Sequence, residues 1–241
     1  MSATDEQNDK ILIGVKPFEI VVSRFRENIS WLADEQFSND FKTIYNKGLP
    51  DIEKFDKFTL CNQVVLPNVG REGQSFLYHI VHNYDRLADV SIFLPGSCMD
   101  EIKVSKTVEV IRRAKETRNT VISGKWYDDI RTNLSQFSID SWVGLSTENK
   151  SAQPSSSCAP ASYRPFGRWF DHYIGRDVRV HVACFTSTLA VSRDHILQQP
   201  LAKYEELLAA MSKHSNPEDG HFLERAWEAL FSPIPVITSL F

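Results

Sequence analysis

The stretch from Leu66 to Ser97 limits the folds open to this chain more than any other. It sets a strand end, a glycine-containing turn, a helix, a short link and a second strand in consecutive positions. The turn carries Asn68, Gly70, Arg71, Glu72 and Gly73. Its two glycines fall where the backbone must bend or admit something close, just before a helix whose first N–H groups have no intrahelical partner. A helix start of this kind can hold an anion. The glycine spacing matches neither the P-loop nor the dinucleotide fingerprint, so close packing is an equal explanation for it. Within the helix, Phe76, Leu77, Ile80, Val81 and Tyr84 form one apolar stripe, with Glu72, Ser75, His79 and His82 on the other side. Val90 to Leu94 is a short apolar run closed by Pro95 and Gly96, the pattern of a strand covered on both faces. A helix between two such strands predicts an α/β unit, in which ligands gather where strand C-termini meet helix N-termini.

At 241 residues the chain is long enough for one α/β domain, and a chain of that size buries roughly 70 to 75% of its extended surface on folding. Its net charge of -4 provides no basic field, so nucleic acid is not an expected partner. Cys61, Cys98, Cys158 and Cys184 form no C-x-x-C pair, which leaves reduced thiols as the simplest reading. The first residues are polar and acidic, and the apolar run Ile11 to Ile13 is too short for a signal-peptide core or a membrane span. The expectation is a disordered tail over residues 1–16, one domain over residues 17–241, no membrane span and a cytoplasmic location.

Phe18 to Ser23 predicts a first strand, and Arg24, Arg26, Glu27 and Asn28 then stand at its C-terminal end, where a base or ribose is met in a doubly wound sheet. A solvated loop explains them equally well. Phe41 to Tyr45 and Phe58 to Leu66 predict the next two extended runs, and residues 101–117 predict a helix with an exposed basic face. Phe137, Ile139 and Trp142 suggest a later strand over residues 134–142. Residues 144–165 are rich in Ser, Ala, Pro and Asn, the composition of a lid, substrate loop or insertion. Trp169, Phe170 and Tyr173 lie at helical spacing, fit for the core or for stacking on a sugar or base. Residues 178–191 are strand-like with a break near Thr186 to Thr188, Ser192 caps a helical turn, and Pro200 opens a helix.

The last helix has the clearest local signals. Asn216 reads as its N-cap, Pro217 as its first residue, and Glu218 and Asp219 as first-turn acids. Phe222, Leu223, Ala226, Trp227 and Leu230 give the buried stripe, leaving Glu218, His221, Arg225 and Glu228 on the other side and Glu224 at the margin. His79 with His82, and His221 with Glu224, stand three apart on helices, but no H-E-x-x-H signature accompanies them and no metal ligand is assigned.

Phe18 to Asn28, Ile44 to Gly48, Leu66 to Gly73, Asn83 to Asp89, Ile92 to Gly96, Val191 to Arg193 and Asn216 to Trp227 together resemble one family, found in fungi, algae and some large DNA viruses and labelled only as a domain of unknown function. A viral capsid glycosyltransferase domain of the small GT-A fold is more distantly similar. The resemblance implies a GT-A-like, Rossmann-type mixed sheet flanked by helices with a C-terminal helical cover, and a nucleotide sugar as partner with an unknown acceptor. Carried onto this chain, it puts Arg24, Glu27, Asn28, Asn68, Gly70, Arg71 and Glu72 at the nucleotide, and Glu218, Asp219, His221 and Glu224 at the chemistry, with Glu218 or Asp219 as base. Arg24, Arg71 or Arg225 would hold the leaving diphosphate. The strand Val90 to Leu94 corresponds to the one that ends in a metal-holding Asp-x-Asp in GT-A enzymes. Here Pro95 to Asp100 contains no such pair, and Asp89 and Asp100 have the wrong spacing. A divalent ion such as Mn or Mg is therefore left open, and a non-catalytic binding or scaffold protein on the same fold is the alternative.

Overall fold

The computed structural model describes residues 16–48, 58–140, 158–234 and 239–240. The expected tail up to residue 15, and residues 144–157 of the expected loop, lie outside the described residues.

Strands β1 (Phe18–Arg24), β2 (Phe41–Asn46), β3 (Cys61–Val65) and β4 (Val90–Pro95) are mutually parallel where they pair. Their alternating apolar side chains feed two cores. Val21, Tyr45 and Phe93 pack on one face of the sheet, and Ile20, Val22, Ile44, Ile92 and Leu94 on the other. Every residue of β4 is buried, as its uninterrupted apolar sequence predicts. β5 (Val121–Trp126), β6 (Val182–Ala183), β7 (Leu189–Ser192) and β8 (Ser239–Leu240) complete a sheet of order β3-β2-β1-β4-β7-β5-β6, with β8 beside β5. β7 runs antiparallel to both β4 and β5. The chain winds outward from β1 to β3, then returns through a helix to lay β4 on the free side of β1. The resulting switch point between β1 and β4, with Ser23 opposite Pro95, is where Rossmann-type sheets bind ligands.

Helices α1 (Arg71–Asn83), α2 (Val104–Thr117), α3 (Ile130–Asn133), α4 (Phe166–Tyr173), α5 (Arg193–Leu197), α6 (Leu201–Met211) and α7 (Glu218–Leu230) flank this sheet. Helix α2 closes the face of Ile20 and Ile92 through Val110, Ile111 and Ala114. On the opposite face, α1, α4, α6 and α7 share one core around Phe76, Trp169, Tyr204, Phe222 and Trp227, which is the expected C-terminal helical cover. The aromatics of α4 belong to this core and are not a stacking surface: Phe166, Trp169 and Phe222 are fully buried against one another.

Several expectations need correction. Ser75 and His79, on the side of α1 away from its apolar stripe, are buried as well. Ser75 Oγ meets Ser23 Oγ at 2.9 Å and His79 Nδ1 meets Tyr45 OH at 3.1 Å, so polar partners on the sheet allow that side of the helix to be buried too. Residues 134–140 form turns and irregular chain in place of the expected strand, and residues 141–142 lie outside the described residues. Phe137 packs edge-on to Phe222, and its carbonyl accepts from Phe166 N–H at 2.8 Å, so these apolar side chains anchor a loop on α7. Asn216 is not the N-cap of α7. The helix starts at Glu218 behind Pro217, and Asn216 Oδ1 pairs with the His221 ring at 3.0 Å. Strand β5 carries little sequence signal, because Val121 and Ile122 are only two apolar residues before Ser123 and Gly124. At Gly124 in β5 the backbone of β6 comes so close that an added Cβ would stand 2.2 Å from Ala183 O. Gly124→Ala is therefore expected to destabilise the fold by about 1–3 kcal/mol, read as a lowered melting temperature.

Candidate functional site

A cavity of about 370 Å³ opens at the C-terminal ends of β1 and β4. Its floor comes from Ser23 and Arg24 at the end of β1 with Glu27 beyond, Lys47 after β2, and Pro95 at the end of β4 with Ser97 beyond. The β3–α1 turn supplies Asn68, Arg71 and Glu72, and Lys103 reaches in from before α2. Helix α7 closes it with His221, Glu224 and Arg225, and Phe137, Ile139, Phe185 and Thr186 form an apolar wall. Segments about 150 residues apart thus meet, with Arg71 Nη1 3.0 Å from His221 Nδ1.

Each cation of the cavity is held by fixed acceptors. Arg24 donates through Nε to Glu27 O at 2.9 Å and through Nη1 to Asn46 Oδ1 at 3.1 Å. Lys47, buried at the cavity wall, donates to Val69 O at 2.5 Å and to Arg71 O, and so clasps the β3–α1 turn from behind. Burial pushes its amine down to about 7, with Glu72 opposing. Lys103 Nζ donates to Ser97 Oγ at 2.7 Å. Arg225 donates to His221 O at 2.7 Å, and its guanidinium lies 4.0 Å from the Phe137 ring centre and 4.9 Å from that of Phe185.

The acids are differentiated by their surroundings. Glu27 Oε2 accepts the N–H groups of Phe25 at 2.6 Å and Arg26 at 3.1 Å, which shapes the turn after β1. Burial pushes Glu72 up, but Arg71, its own N–H, Lys103 and the Ser187 hydroxyl outweigh it and hold the carboxyl at about 2. Ser187 Oγ donates to Glu72 Oε1 at 3.0 Å. Arg71 at φ 52 and Ser187 at φ 50 are both non-glycine residues in left-handed backbone, a conformation costing on the order of 1 kcal/mol each. The carboxylate of Glu72 is bracketed by these two strained positions. Glu224 behaves in the opposite way: burial pushes it up to about 7, Glu72 adds to the rise, and Arg71, Arg225 and Lys103 only partly oppose it. Arg225 Nη1 lies 3.6 Å from Glu224 Oε2.

Of the residues singled out in sequence, Arg24, Glu27, Asn68, Arg71, Glu72, His221 and Glu224 line the cavity. Asn28 is exposed and its Oδ1 accepts from Ser30 N–H at 2.9 Å. Gly70 serves the turn, at φ 63, where a Cβ would stand 2.4 Å from Gln74 Cβ and 2.5 Å from Met211 O. Glu218 and Asp219 face the protein interior. Glu218 accepts from Ile139 N–H at 2.7 Å and Ala161 N–H at 2.9 Å and pairs with Arg164 at 3.0 Å. Asp219 accepts from Trp169 Nε1 at 3.0 Å. Sequence reasoning missed Lys47, Lys103, Phe185 and Ser97. Lys47 carried a usable signal, since it follows the second strand directly and so must stand at the same sheet edge as Arg24.

Among the described residues no three His, Cys, Asp or Glu side chains gather as a cation-holding set. No helix among them is long and apolar enough to cross a membrane. A family model described as "Protein of unknown function (DUF3431)" matches residues 20–238. No curated protein matches the chain.

Proposed function

We propose that this chain, which belongs to the DUF3431 family over residues 20–238, binds a nucleotide sugar in the cavity at the ends of β1 and β4 and transfers the sugar to an acceptor hydroxyl. One observation carries the reading. Arg24, Arg71, Lys103 and Arg225 share that cavity with Glu224, whose carboxyl sits near 7. Transfer by direct displacement requires a base at the acceptor hydroxyl and fixed positive charge at the departing diphosphate. A carboxyl with a pKa near the working pH combines a useful ionised fraction with basicity, and guanidinium and ammonium groups in a recessed site stabilise phosphate charge.

In this scheme the Glu224 carboxylate takes the acceptor proton as the acceptor oxygen bonds to the anomeric carbon. The bond from that carbon to the phosphate oxygen breaks, and its electron pair leaves with the nucleoside diphosphate toward the arginines and Lys103. The Phe137, Ile139 and Phe185 wall gives an apolar surface for a ring. The described residues supply no metal-holding set and the end of β4 no Asp-x-Asp, which leaves the arginines and Lys103 as the groups that meet the leaving diphosphate. Cys61, Cys98, Cys158 and Cys184 are free thiols, which fits the reducing cytoplasm as the place of work.

Thermal shift against a panel of nucleoside diphosphates and their sugars, each with and without manganese, tests the reading. A true ligand at about 100 times its Kd adds roughly 2.7 kcal/mol and should raise the melting temperature by roughly 5–10 °C for a chain of this size. If no nucleotide moves it under either condition, the transferase reading falls. If nucleotides bind but no sugar is transferred or hydrolysed, the non-catalytic binding protein replaces it.

A further inference from the structure

We infer that Asn216 and His221 form a relay that aims the Arg71 guanidinium into the cavity, which makes His221 a positioning residue for anion recognition. The identity of the anion rests on the nucleotide-sugar reading; the relay itself rests on geometry alone.

An amide oxygen only accepts hydrogen bonds, so the ring nitrogen facing Asn216 Oδ1 must donate. His221 Nε2 lies 3.0 Å from Asn216 Oδ1, and Arg71 Nη1 lies 3.0 Å from His221 Nδ1 and 3.2 Å from Nε2, against the face of the ring. Nε2 therefore carries the proton, and with a guanidinium against the ring a second proton on Nδ1 is disfavoured, which leaves a single neutral tautomer. An imidazolium would set a second positive charge against Arg71. Burial already pushes His221 down, to about 3, and Arg71 and Arg225 push the same way. The far end of the relay is fixed in turn. Asn216 is fully buried, its N–H donates to His214 Nδ1 at 3.0 Å, and its carbonyl accepts from Ala159 N–H at 3.0 Å.

With Nε2–H given to Asn216 and the Arg71 guanidinium against the ring, His221 is a weak base despite lining the cavity. What it provides is direction. Arg71 leaves the turn from a left-handed backbone whose carbonyl is clasped by Lys47, its Nε lies 3.7 Å from Glu72 Oε2, and each further contact at the tip of so long a side chain reduces its rotamer freedom. The relay holds that tip before any ligand arrives, so the ordering cost is removed from the binding step.

The test combines two measurements on the full chain. Nitrogen-15 NMR of the histidine rings, without nucleotide, should show His221 neutral and protonated on Nε2 from pH 8 down to about 5. Calorimetric binding of UDP and GDP should be weakened roughly 10- to 100-fold by His221→Leu. His221→Asn, which sets an amide oxygen near the place of Nδ1, should recover most of that loss. Protonation on Nδ1, titration near 6.5, or wild-type affinity in a folded His221→Leu would overturn the relay. Should His221→Leu fail to fold, the tautomer decides. If the tautomer is as expected while neither nucleotide binds the wild-type protein, the relay stands and the nucleotide reading is what fails.

Discussion

Glu224→Gln is expected to bind nucleoside diphosphate about as well as the wild-type protein while losing roughly 10²- to 10⁴-fold in kcat, the range that one general base contributes. Gln keeps the size and hydrogen-bonding reach of the carboxyl and gives up only its capacity to take a proton. The wild-type rate should rise with pH through about 7 as Glu224 ionises among Arg71, Glu72, Lys103 and Arg225, and this limb should vanish in the variant. Glu218→Gln and Asp219→Asn provide the contrast. Glu218 terminates the backbone N–H groups of Ile139 and Ala161, and Asp219 holds the Trp169 indole. Their loss should appear in stability and leave the pH limb in place. A full rate in Glu224→Gln, or the disappearance of the limb in Asp219→Asn, would return the base to the start of α7.

The contrast also shows which parts of the site were legible in sequence. The strand ends were readable because the β-branched run Phe18 to Ser23, the extended run Phe58 to Leu66 and the unbroken Val90 to Leu94 fix where a parallel sheet stops, and Arg24, Asn68 and Arg71 come soon after the first two of those stops. The meeting of the β3–α1 turn with the last helix was inferred from a resemblance, because no local pattern encodes a contact between residues as distant as Arg71 and His221. Individual roles were harder still. Glu218, Asp219 and Glu224 are the same chemistry within two helical turns, and only the surroundings separate them. Glu218 meets two backbone N–H groups, Asp219 meets an indole, and Glu224 meets an open cavity with a guanidinium at its side. Helical periodicity misjudged the polar side of α7 because Glu218, His221 and Glu228 are all buried there, each matched by partners from outside the helix. Asn216 was misread for a related reason. A residue type that commonly caps a helix is also one that can accept from a buried histidine, and sequence does not rank the two.

Stability should fall as pH drops from about 6.5 toward 4, and Glu224→Gln should make that fall steeper. His79 and His221 are held neutral in the fold, burial being the first cause for each, at about 4 and about 3 against 6.5 for the free side chain. Between the folded and unfolded values the unfolded chain binds more protons, so acidification favours unfolding. Each histidine accordingly removes about 3 kcal/mol by pH 4. Glu224 has the opposite sign: its folded value of about 7 lies above the ordinary 4.5. From pH 7 down to 4.5 the folded state binds the extra proton, which returns an amount of the same order as one histidine withdraws. Glu72, at about 2 in the fold, sides with the histidines, but only below 4.5. Gln at position 224 cannot take up the offsetting proton, so the variant should equal or exceed the wild-type stability at pH 7.5 and lose more of it by pH 5. Urea denaturation of both proteins at pH 7.5, 6 and 5 measures the difference. Parallel slopes would mean that Glu224 is already an ordinary carboxylate in the fold, and the base proposed for the transfer would lose the property that singled it out.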